Sequence, residues 1–441
     1  MLKIPNLIYS TTILFLSNFI VRIIGFLYKI FLSKQIGANG LGIFHMIFHF
    51  LMLCVCLTTT GIPVALNSLI SKENKMNNKH NINSLFISTV YLSFFISILI
   101  SLIVFFNSKF IGFKLIHSDD SQMLIICILP AISLITVSNI LRNYYYGIKK
   151  VQIPAIGQIL EQLSRVLFVV ILFSFTKNKS IYPLIALIGI SVGEIANILF
   201  IIINLFFEPT LSNSYSITLN DFKNSINNIT KMALPITFNR VFAVVIQSIS
   251  SILIPSRLEL SGLSHLQSMS LYGTITGMVF PFLFLPFTLT SALVVNLIPS
   301  ISQEMPHKNY SLINKKIFFS IFLTSCIGFS SSLIYFFFGE KICMLIFNSE
   351  LAGIYLKAIS ISTFFMVLNH TLSSILHSIE KEYNATINNI IGLSVQLFCI
   401  YFLLPISSIN IYGFIYGFTL SGVIIFTLHI ITLYKTQRRW H

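Results

Sequence analysis

The chain has 441 residues, of which 55% are hydrophobic and only 9% are charged. A soluble globular domain carries about 25% charged residues, so this chain has too little polar surface to cover a water-soluble globule. The formal net charge of +15 is compatible with a nucleic-acid partner, but in a membrane protein such an excess marks the cytoplasmic face. The composition therefore predicts a membrane protein with no nucleic-acid partner.

Apolar segments long enough to cross a bilayer recur along the whole chain. A transmembrane helix needs about 20 mostly apolar residues, and twelve segments meet that length. The predicted spans are 9–32, 41–69, 84–106, 121–143, 154–176, 181–206, 228–254, 272–299, 317–338, 355–378, 385–404 and 410–434. The connections between them are too short to hold a soluble domain. We therefore predict an all-α polytopic membrane protein with about twelve transmembrane helices.

The basic residues predict the orientation of these spans. With the N-terminus inside, fifteen Lys and Arg, Arg142 among them, fall at cytoplasmic ends and seven fall at outer ends. Cytoplasmic loops carry the excess of Lys and Arg in membrane proteins. The sequence thus predicts a multi-pass protein of the cytoplasmic membrane with both termini in the cytoplasm.

The two halves of the sequence resemble each other at a nearly constant spacing. Residues 46–51 match 278–283 at an offset of 232, and 148–150 match 379–381 at an offset of 231. A constant offset across two separate helix pairs is hard to obtain by chance. The repeat predicts two six-helix bundles, residues 1–220 and 221–441, pointing the same way, as the parallel repeats of transporters do.

Ionisable side chains within the predicted spans mark the candidate site, because a charge in hydrocarbon is costly and usually faces a cavity. Arg22 and Arg240 each lie near mid-depth in the first helix of their half, with no acidic residue at helical spacing. Arg binds phosphate or carboxylate through two parallel hydrogen bonds. These two residues therefore predict an anionic ligand, and hydrogen bonding to backbone carbonyls is their alternative role.

Further charged residues complete the predicted substrate-binding set. Glu161 and Arg165 lie one turn apart on the fifth predicted helix, where their side chains are neighbours. Glu194 lies at mid-depth in the sixth helix. We expect these three to complete a polar cavity, although Glu161 and Arg165 are also compatible with simple mutual neutralisation. Lys29 joins the set as a candidate, although extension of its long side chain to the membrane interface is its favoured role.

Other sequence patterns bear on metals, cofactors and catalysis. His45 and His49 are one turn apart, a spacing that suits a metal or a proton relay. The sequence offers no third ligand nearby, so packing or pore lining is the favoured role. It also contains no nucleotide-binding phosphate loop and no zinc-protease motif. We therefore predict no metal, no cofactor and no enzymatic activity, with transport driven by an ion gradient, the membrane potential or the substrate's own gradient.

Several blocks of the sequence carry a family resemblance. The blocks are RIIGFLYK at 22–29, GANGLG at 37–42, GIPVA at 61–65, LRNYYYG at 141–147, QILEQLSRV at 158–166, IPSRL at 254–258 and LIPSIS at 297–302. Together they resemble the stage V sporulation protein B family over most of residues 8–435. That family belongs to the multidrug/oligosaccharidyl-lipid/polysaccharide (MOP) exporter superfamily and is related to MurJ-type lipid II flippases.

The resemblance implies two six-helix bundles around a central cavity. It also implies alternating-access movement of an undecaprenyl-linked saccharide, a lipid II-like precursor of spore-cortex peptidoglycan, to the outer leaflet. The implied partners are this substrate, membrane lipids, a coupling ion and cell-wall synthesis proteins. Two features depart from the pattern: MurJ proteins carry Arg-Asp where this chain has Tyr28-Lys29, and two further C-terminal helices of many relatives have no counterpart among the predicted spans.

Two other functions stay open at this stage. A cation-coupled multidrug exporter of the same superfamily needs an acid within the membrane, and Glu161 or Glu194 could serve. A non-transporting scaffold of a cell-wall synthesis complex needs no hydrated cavity at all. The distinguishing feature is whether Arg22, Arg165 and Arg240 converge on one solvent-filled cavity, as a transporter requires. Arginines that are scattered, buried in lipid or capped by backbone carbonyls favour the scaffold.

Overall fold

The computed structural model describes residues 4–116, 121–208, 218–306, 309–438 and 440. Side chains are described within these ranges except at 4–11, 116, 235, 236, 238–240, 243, 292–296, 298 and 299. The described residues are helical almost throughout and contain no strand. This agrees with the all-α class predicted from composition.

Fourteen α-helices follow one another along the described chain. They are α1 (Ile4–Thr59), α2 (Ile62–Lys75), α3 (Lys79–Phe106), α4 (Ser108–Ile116), α5 (Ser121–Gly147), α6 (Gln152–Phe175), α7 (Tyr182–Phe206), α8 (Leu219–Leu260), α9 (His265–Gly273), α10 (Phe280–Ser302), α11 (Tyr310–Phe347), α12 (Glu350–Ser378), α13 (Glu382–Leu403) and α14 (Tyr412–Gln437). A 3-10 turn, Lys179–Ile181, precedes α7, and a π-helical turn, Thr274–Val279, joins α9 to α10.

Ten helical segments of the described chain are long and apolar enough to cross a membrane. The first, Thr12–Lys75, has 64 residues, which is about 96 Å at about 1.5 Å per residue. That length exceeds the roughly 30 Å hydrocarbon core of a bilayer about threefold. A positive φ of 72° at Gly37 breaks the helix, so this segment is long enough for two crossings. The predicted polytopic membrane fold is confirmed.

The chain packs as two compact units whose boundaries fall inside helices. The first packing unit contains Met1–Tyr28 and Met46–Ser248, and the second contains Lys29–His45 and Ile249–His441. Part of α1 therefore packs with the second unit, and the first part of α8 packs with the first. Packing units need not coincide with sequence repeats, so the repeat boundary near residue 220 stays a prediction.

Each packing unit has its own hydrophobic core, and the two cores use equivalent positions. Eight of the ten buried residues in the second core lie 231 residues after a buried residue of the first. The pairs are Leu66 and Leu297, Ile70 and Ile301, Ile82 and Ile313, Phe86 and Ile317, Leu141 and Leu372, Tyr144 and Ile375, Tyr145 and Leu376, and Ile148 and Ile379. The repeat seen in the sequence is thus a repeat of packing.

The turns that follow α5 and α12 repeat in the same way. Lys149 and Glu380 adopt left-handed conformations, with φ values of 65° and 61°. The amide after each donates to the carbonyl five residues before it, at 2.9 and 2.8 Å. Ser71 and Ser302 each donate a hydroxyl hydrogen bond of 3.2 Å to the carbonyl of the last residue of these helices. The offset of 231 therefore holds for backbone conformation as well as for the core.

Candidate functional site

Four charged side chains from three helices meet inside the first packing unit. Arg142 comes from α5, Glu161 and Arg165 come from α6, and Glu194 comes from α7. We call these four residues the charge cluster. The three helices contact one another along the first packing unit, and this places residues far apart in sequence at one point.

Glycines on α7 allow it to approach α6 closely at the charge cluster. A Cβ atom on Gly193 would lie 2.8 Å from the carbonyl oxygen of Glu161, a distance that real Cβ atoms essentially never show. A Cβ atom on Gly189 would lie 2.6 Å from the side chain of Val169. Only residues without a side chain fit this helix contact. The small residues of α7 therefore bring Glu194 within reach of the charges on α5 and α6.

Ion pairs connect all four members of the charge cluster. Arg165 Nη2 lies 2.6 Å from Glu161 Oε1, while Arg142 Nη1 lies 3.3 Å from Glu161 Oε2. Arg142 Nη2 also approaches Glu194 Oε1 at 3.6 Å. The side chains are 18% (Arg165), 13% (Glu161), 12% (Arg142) and 4% (Glu194) exposed. Two guanidinium groups and two carboxylates make the charge cluster neutral, which is the condition for burying charges at tolerable cost.

Neutral polar groups surround the charge cluster. Asn197 on α7 donates a buried 2.8 Å hydrogen bond to the hydroxyl of Ser138 on α5. On the other side, Tyr28 is buried on α1 close to Arg165. The Nε atoms of both arginines, Glu194 Oε2 and the Tyr28 hydroxyl are buried without a protein hydrogen-bond partner. Buried polar atoms are normally satisfied by protein or ordered water, so this region is suited to hold water or a polar ligand group.

The structure brings together three of the predicted site residues, Glu161, Arg165 and Glu194. Arg22 lies on α1 of the same packing unit, and its side chain is exposed. Lys29 is half-buried and belongs to the segment that packs with the second unit. Arg240 lies in α8, and its side chain lies outside the described residues. The predicted substrate-binding set is therefore only partly one structural cluster.

Arg142 is the functional candidate that the sequence reasoning missed. Its assignment to the cytoplasmic ends stays a prediction, but α5 continues to Gly147 and the Arg142 side chain is only 12% exposed, so this residue packs inside the protein. The signal available in the sequence was its place within the LRNYYYG block, two residues before Tyr144 and three before Tyr145, both fully buried. A basic residue within one helical turn of such core aromatics lies inside the packed helix and not in a solvated loop.

Residues suited to metal binding do not gather within the described part of the chain. No group of three or more His, Cys, Asp or Glu residues there could hold a metal ion. His45 is 8% exposed, and the backbone carbonyl of His49 accepts a 3.4 Å hydrogen bond from Ser248. The helix carrying these histidines therefore contributes packing and backbone contacts.

Comparison with known proteins assigns the chain to a family. A sequence profile described as "Polysaccharide biosynthesis protein" matches residues 7–303, which is most of the chain. The chain belongs to the polysaccharide biosynthesis protein family. A second profile, MatE, matches residues 235–402. The two profiles overlap between residues 235 and 303, so both describe one continuous membrane fold.

Individual relatives agree with this family assignment. Stage V sporulation protein B of Bacillus subtilis (strain 168) is 21% identical over 97% of this chain and 83% of its own length. The lipid II flippase MurJ of the same organism is 20% identical over 89% of this chain and 76% of its own length. The resemblance inferred from the sequence blocks is confirmed. The protein is a multi-pass membrane transporter or flippase of the MOP superfamily, working with membrane lipids and a transported substrate.

A solved structure shows the same fold. The inward-facing conformation of a multidrug resistance MATE family transporter of the MOP superfamily gives a TM-score of 0.75, with 14% sequence identity. The match covers 95% of this chain and 96% of that chain. At this identity the likeness concerns the fold alone.

Proposed function

We propose that this protein is a flippase for an undecaprenyl-linked saccharide, a lipid II-like precursor of spore-cortex peptidoglycan. It moves this lipid from the inner to the outer leaflet of the cytoplasmic membrane by alternating access. The similarity to stage V sporulation protein B and to the lipid II flippase MurJ supports this substrate class. Cell-wall synthesis proteins are the proposed partners that supply and consume the lipid.

The observation that carries the proposal is the exposed position of Arg22. Arg22 is eighteen residues into α1, about 27 Å from the start of the helix at about 1.5 Å per residue. Its side chain is nevertheless exposed. A guanidinium in contact with hydrocarbon is costly, and such residues face water or a polar ligand. We therefore assign Arg22 to a hydrated path for the substrate headgroup.

The headgroup chemistry matches the cationic residues of the proposed site. A diphosphate cannot cross about 30 Å of hydrocarbon unaided, so the protein must replace its hydration. Arg22 and Arg240 bind the diphosphate, because a guanidinium presents paired donors to phosphate oxygens. Arg165 and Lys29 add positive charge, while Glu161 and Glu194 balance the charge of the arginines. The polyprenyl chain stays in the lipid throughout.

A cation-coupled multidrug exporter is the second candidate, and one observation favours it. Glu194 Oε2 is buried without a protein hydrogen-bond partner, so this acid has a free site for a proton or a cation. An exporter that exchanges protons at Glu194 requires a titrating carboxyl there. Glu194→Gln therefore abolishes transport in an exporter of that kind, whereas a flippase that binds its headgroup through arginines keeps most of its rate.

The test is flipping of a fluorescent lipid II analogue in proteoliposomes, followed with a membrane-impermeant quencher. Wild type moves the probe between leaflets, and Arg22→Ala and Arg240→Ala abolish that movement in protein that is still folded. Arg22→Lys keeps part of the rate, because an ammonium makes no bidentate contact. Lys179→Ala, which changes an exposed residue beside α7, is the matched control and keeps the wild-type rate.

Two outcomes of this flipping assay would contradict the proposal. If folded Arg22→Ala and Arg240→Ala proteins flip the probe at the wild-type rate, the arginines do not bind the headgroup. If wild type itself moves no lipid, the flippase function is wrong and the scaffold function takes its place. Leaflet-specific labelling of lipid II in cells depleted of the protein tests the same function in vivo, where outer-leaflet lipid II should fall.

The proposed direction of transport depends on both termini being cytoplasmic. Lys75 and Lys114 are both exposed and lie at opposite ends of the α3–α4 region. A cysteine replacing Lys114 should react with an impermeant thiol reagent in intact cells, and one replacing Lys75 should not. The opposite labelling pattern would reverse the orientation and the direction of flipping.

A further inference from the structure

The fold itself does not need the four charges of the charge cluster. The equivalent positions 231 residues later are Ser373, Gly392, Gln396 and Ile425, none of them charged. A Cβ atom on Gly392 would collide with the Ile425 side chain, so these two positions meet in the second packing unit as the two glutamates meet in the first. The same three-helix arrangement therefore forms with a neutral interior.

Burying charge where the fold accepts neutral residues carries a cost. Replacing a buried ion-pair network by packed neutral side chains is often neutral or stabilising. The second packing unit is a natural example of that replacement at the same positions. The charges of the first unit are therefore explained by function and not by folding.

Within the charge cluster, Arg142 makes the contacts that connect the two carboxylates. Its two terminal nitrogens lie 3.3 Å from Glu161 and 3.6 Å from Glu194, on two different helices. Arg165 forms a 2.6 Å ion pair with Glu161, and its side chain is the more exposed of the two arginines. Without Arg142, a single guanidinium would face two buried carboxylates. Arg165 would then be held by both glutamates.

We propose that Arg142 is a positioning residue of the transport site, acting through Arg165. Arg142 neutralises Glu194 and forms one of the two ion pairs of Glu161. The guanidinium of Arg165 therefore keeps donor groups available to the anionic headgroup of the substrate. This inference rests on the proposed flippase function, and it assigns Arg142 a role without substrate contact. Arg165 is then the residue of the charge cluster that binds the phosphate.

The experiment compares initial flipping rates of the lipid II probe, per folded protein, across a range of probe concentrations. Arg142→Ala should lower the rate between about 10-fold and 100-fold, the scale of loss when a binding group is displaced by about 1 Å. The loss should appear mainly as a higher half-saturating probe concentration. Arg165→Gln, which installs the residue of the second unit, should show the same pattern.

Two double variants separate positioning from other roles. Arg142→Ala with Glu194→Gln removes one charge of each sign, leaves the Arg165–Glu161 pair intact, and should regain most of the wild-type rate. Arg142→Ala with Arg165→Gln should be no slower than Arg165→Gln alone, since residues acting through one contact are not additive. A charge-balanced double variant that is folded but inactive, or multiplicative losses in the second double variant, would overturn the proposal.

Failure of this inference can be distinguished from failure of the proposed function. If wild type flips no lipid, the flippase function fails and the positioning role fails with it. If wild type flips the probe and only the double variants behave differently from expectation, the flippase function stands and Arg142 has another role. Lys179→Ala again serves as the folded control with an unchanged rate.

Discussion

The two packing units share their cores and turns but differ in their polar interiors. The first contains the charge cluster, whereas the second contains a neutral network in which Asn388 hydrogen-bonds His429 at 3.0 Å and Thr432 at 3.2 Å. Both interiors lie between equivalent helices, and both surround a core built from positions 231 residues apart. Apolar packing alone therefore specifies the helix arrangement, and the polar residues are free to serve different functions.

The largest effect expected from this comparison is on stability when one member of the charge cluster is removed. Arg142→Ala leaves one guanidinium to balance two buried carboxylates and should lower the free energy of unfolding by about 3–5 kcal/mol. Ser373→Ala at the equivalent position should change it by less than about 0.5 kcal/mol. Unfolding in mixed detergent micelles measures both. Equal effects of the two substitutions would show that the units depend on these positions alike.

A second, smaller effect is expected at glycines where helices cross. A Cβ atom on Gly61 would collide with the carbonyl oxygen of Ala233 in the first unit, and one on Gly273 would collide with that of Ala38 in the second. Because backbone cannot move aside easily, Gly61→Ala and Gly273→Ala should each destabilise by about 1–3 kcal/mol. The same unfolding measurement tests both.

Gly25→Ala is the matched control for these glycines. A Cβ atom there would meet only the Gln162 side chain at 3.6 Å, an ordinary contact, so the stability should hardly change. A loss at Gly25 as large as at Gly61 and Gly273 would show that the close helix crossing does not determine the outcome.

The smallest effect concerns the repeated turns. Lys149 and Glu380 occupy left-handed conformations, which cost a residue with a side chain about 1–2 kcal/mol and glycine much less. Lys149→Gly and Glu380→Gly should therefore stabilise the protein by about 1 kcal/mol or less, and by equal amounts. Thermal denaturation in detergent gives the comparison.

Lys223→Gly is the control for the two turn substitutions, because glycine should have the opposite effect on stability within a helix. Lys223 lies exposed within α8, where glycine should destabilise by about 1 kcal/mol. Stabilisation at only one of the two turns would mean that the repeat is preserved in backbone geometry but not in energy.

The sequence predicted the membrane fold well because hydropathy depends on local composition. Helix lengths were predicted less well. The predicted span 317–338 lies within the longer helix Tyr310–Phe347, because the helix continues into the more polar residues on either side of the apolar stretch. The predicted span 41–69 likewise begins inside α1, which continues through the break at Gly37. Hydropathy identifies the segment in the membrane but not where the helix stops.

The candidate site was predictable only where its geometry is local. Glu161 and Arg165 are four residues apart on one helix, and that spacing predicts their 2.6 Å pair. Arg142 joins them from α5 across 19 residues of sequence, and Glu194 joins from α7. Such pairings depend on which helices are neighbours and how deep each residue lies. The spacing of residues along the chain gives neither the helix neighbours nor the depth of a residue.

The central claim is that the charges of the first packing unit serve transport and not folding. Its most direct test replaces all four at once with their counterparts from the second unit: Arg142→Ser, Glu161→Gly, Arg165→Gln and Glu194→Ile. This variant should insert, purify as folded protein and melt close to wild type, because Gly392 and Ile425, the counterparts of the two glutamates, already pack together in the second unit. It should move no lipid II probe between the leaflets of proteoliposomes. A folded quadruple variant that flips the probe at the wild-type rate would contradict the claim.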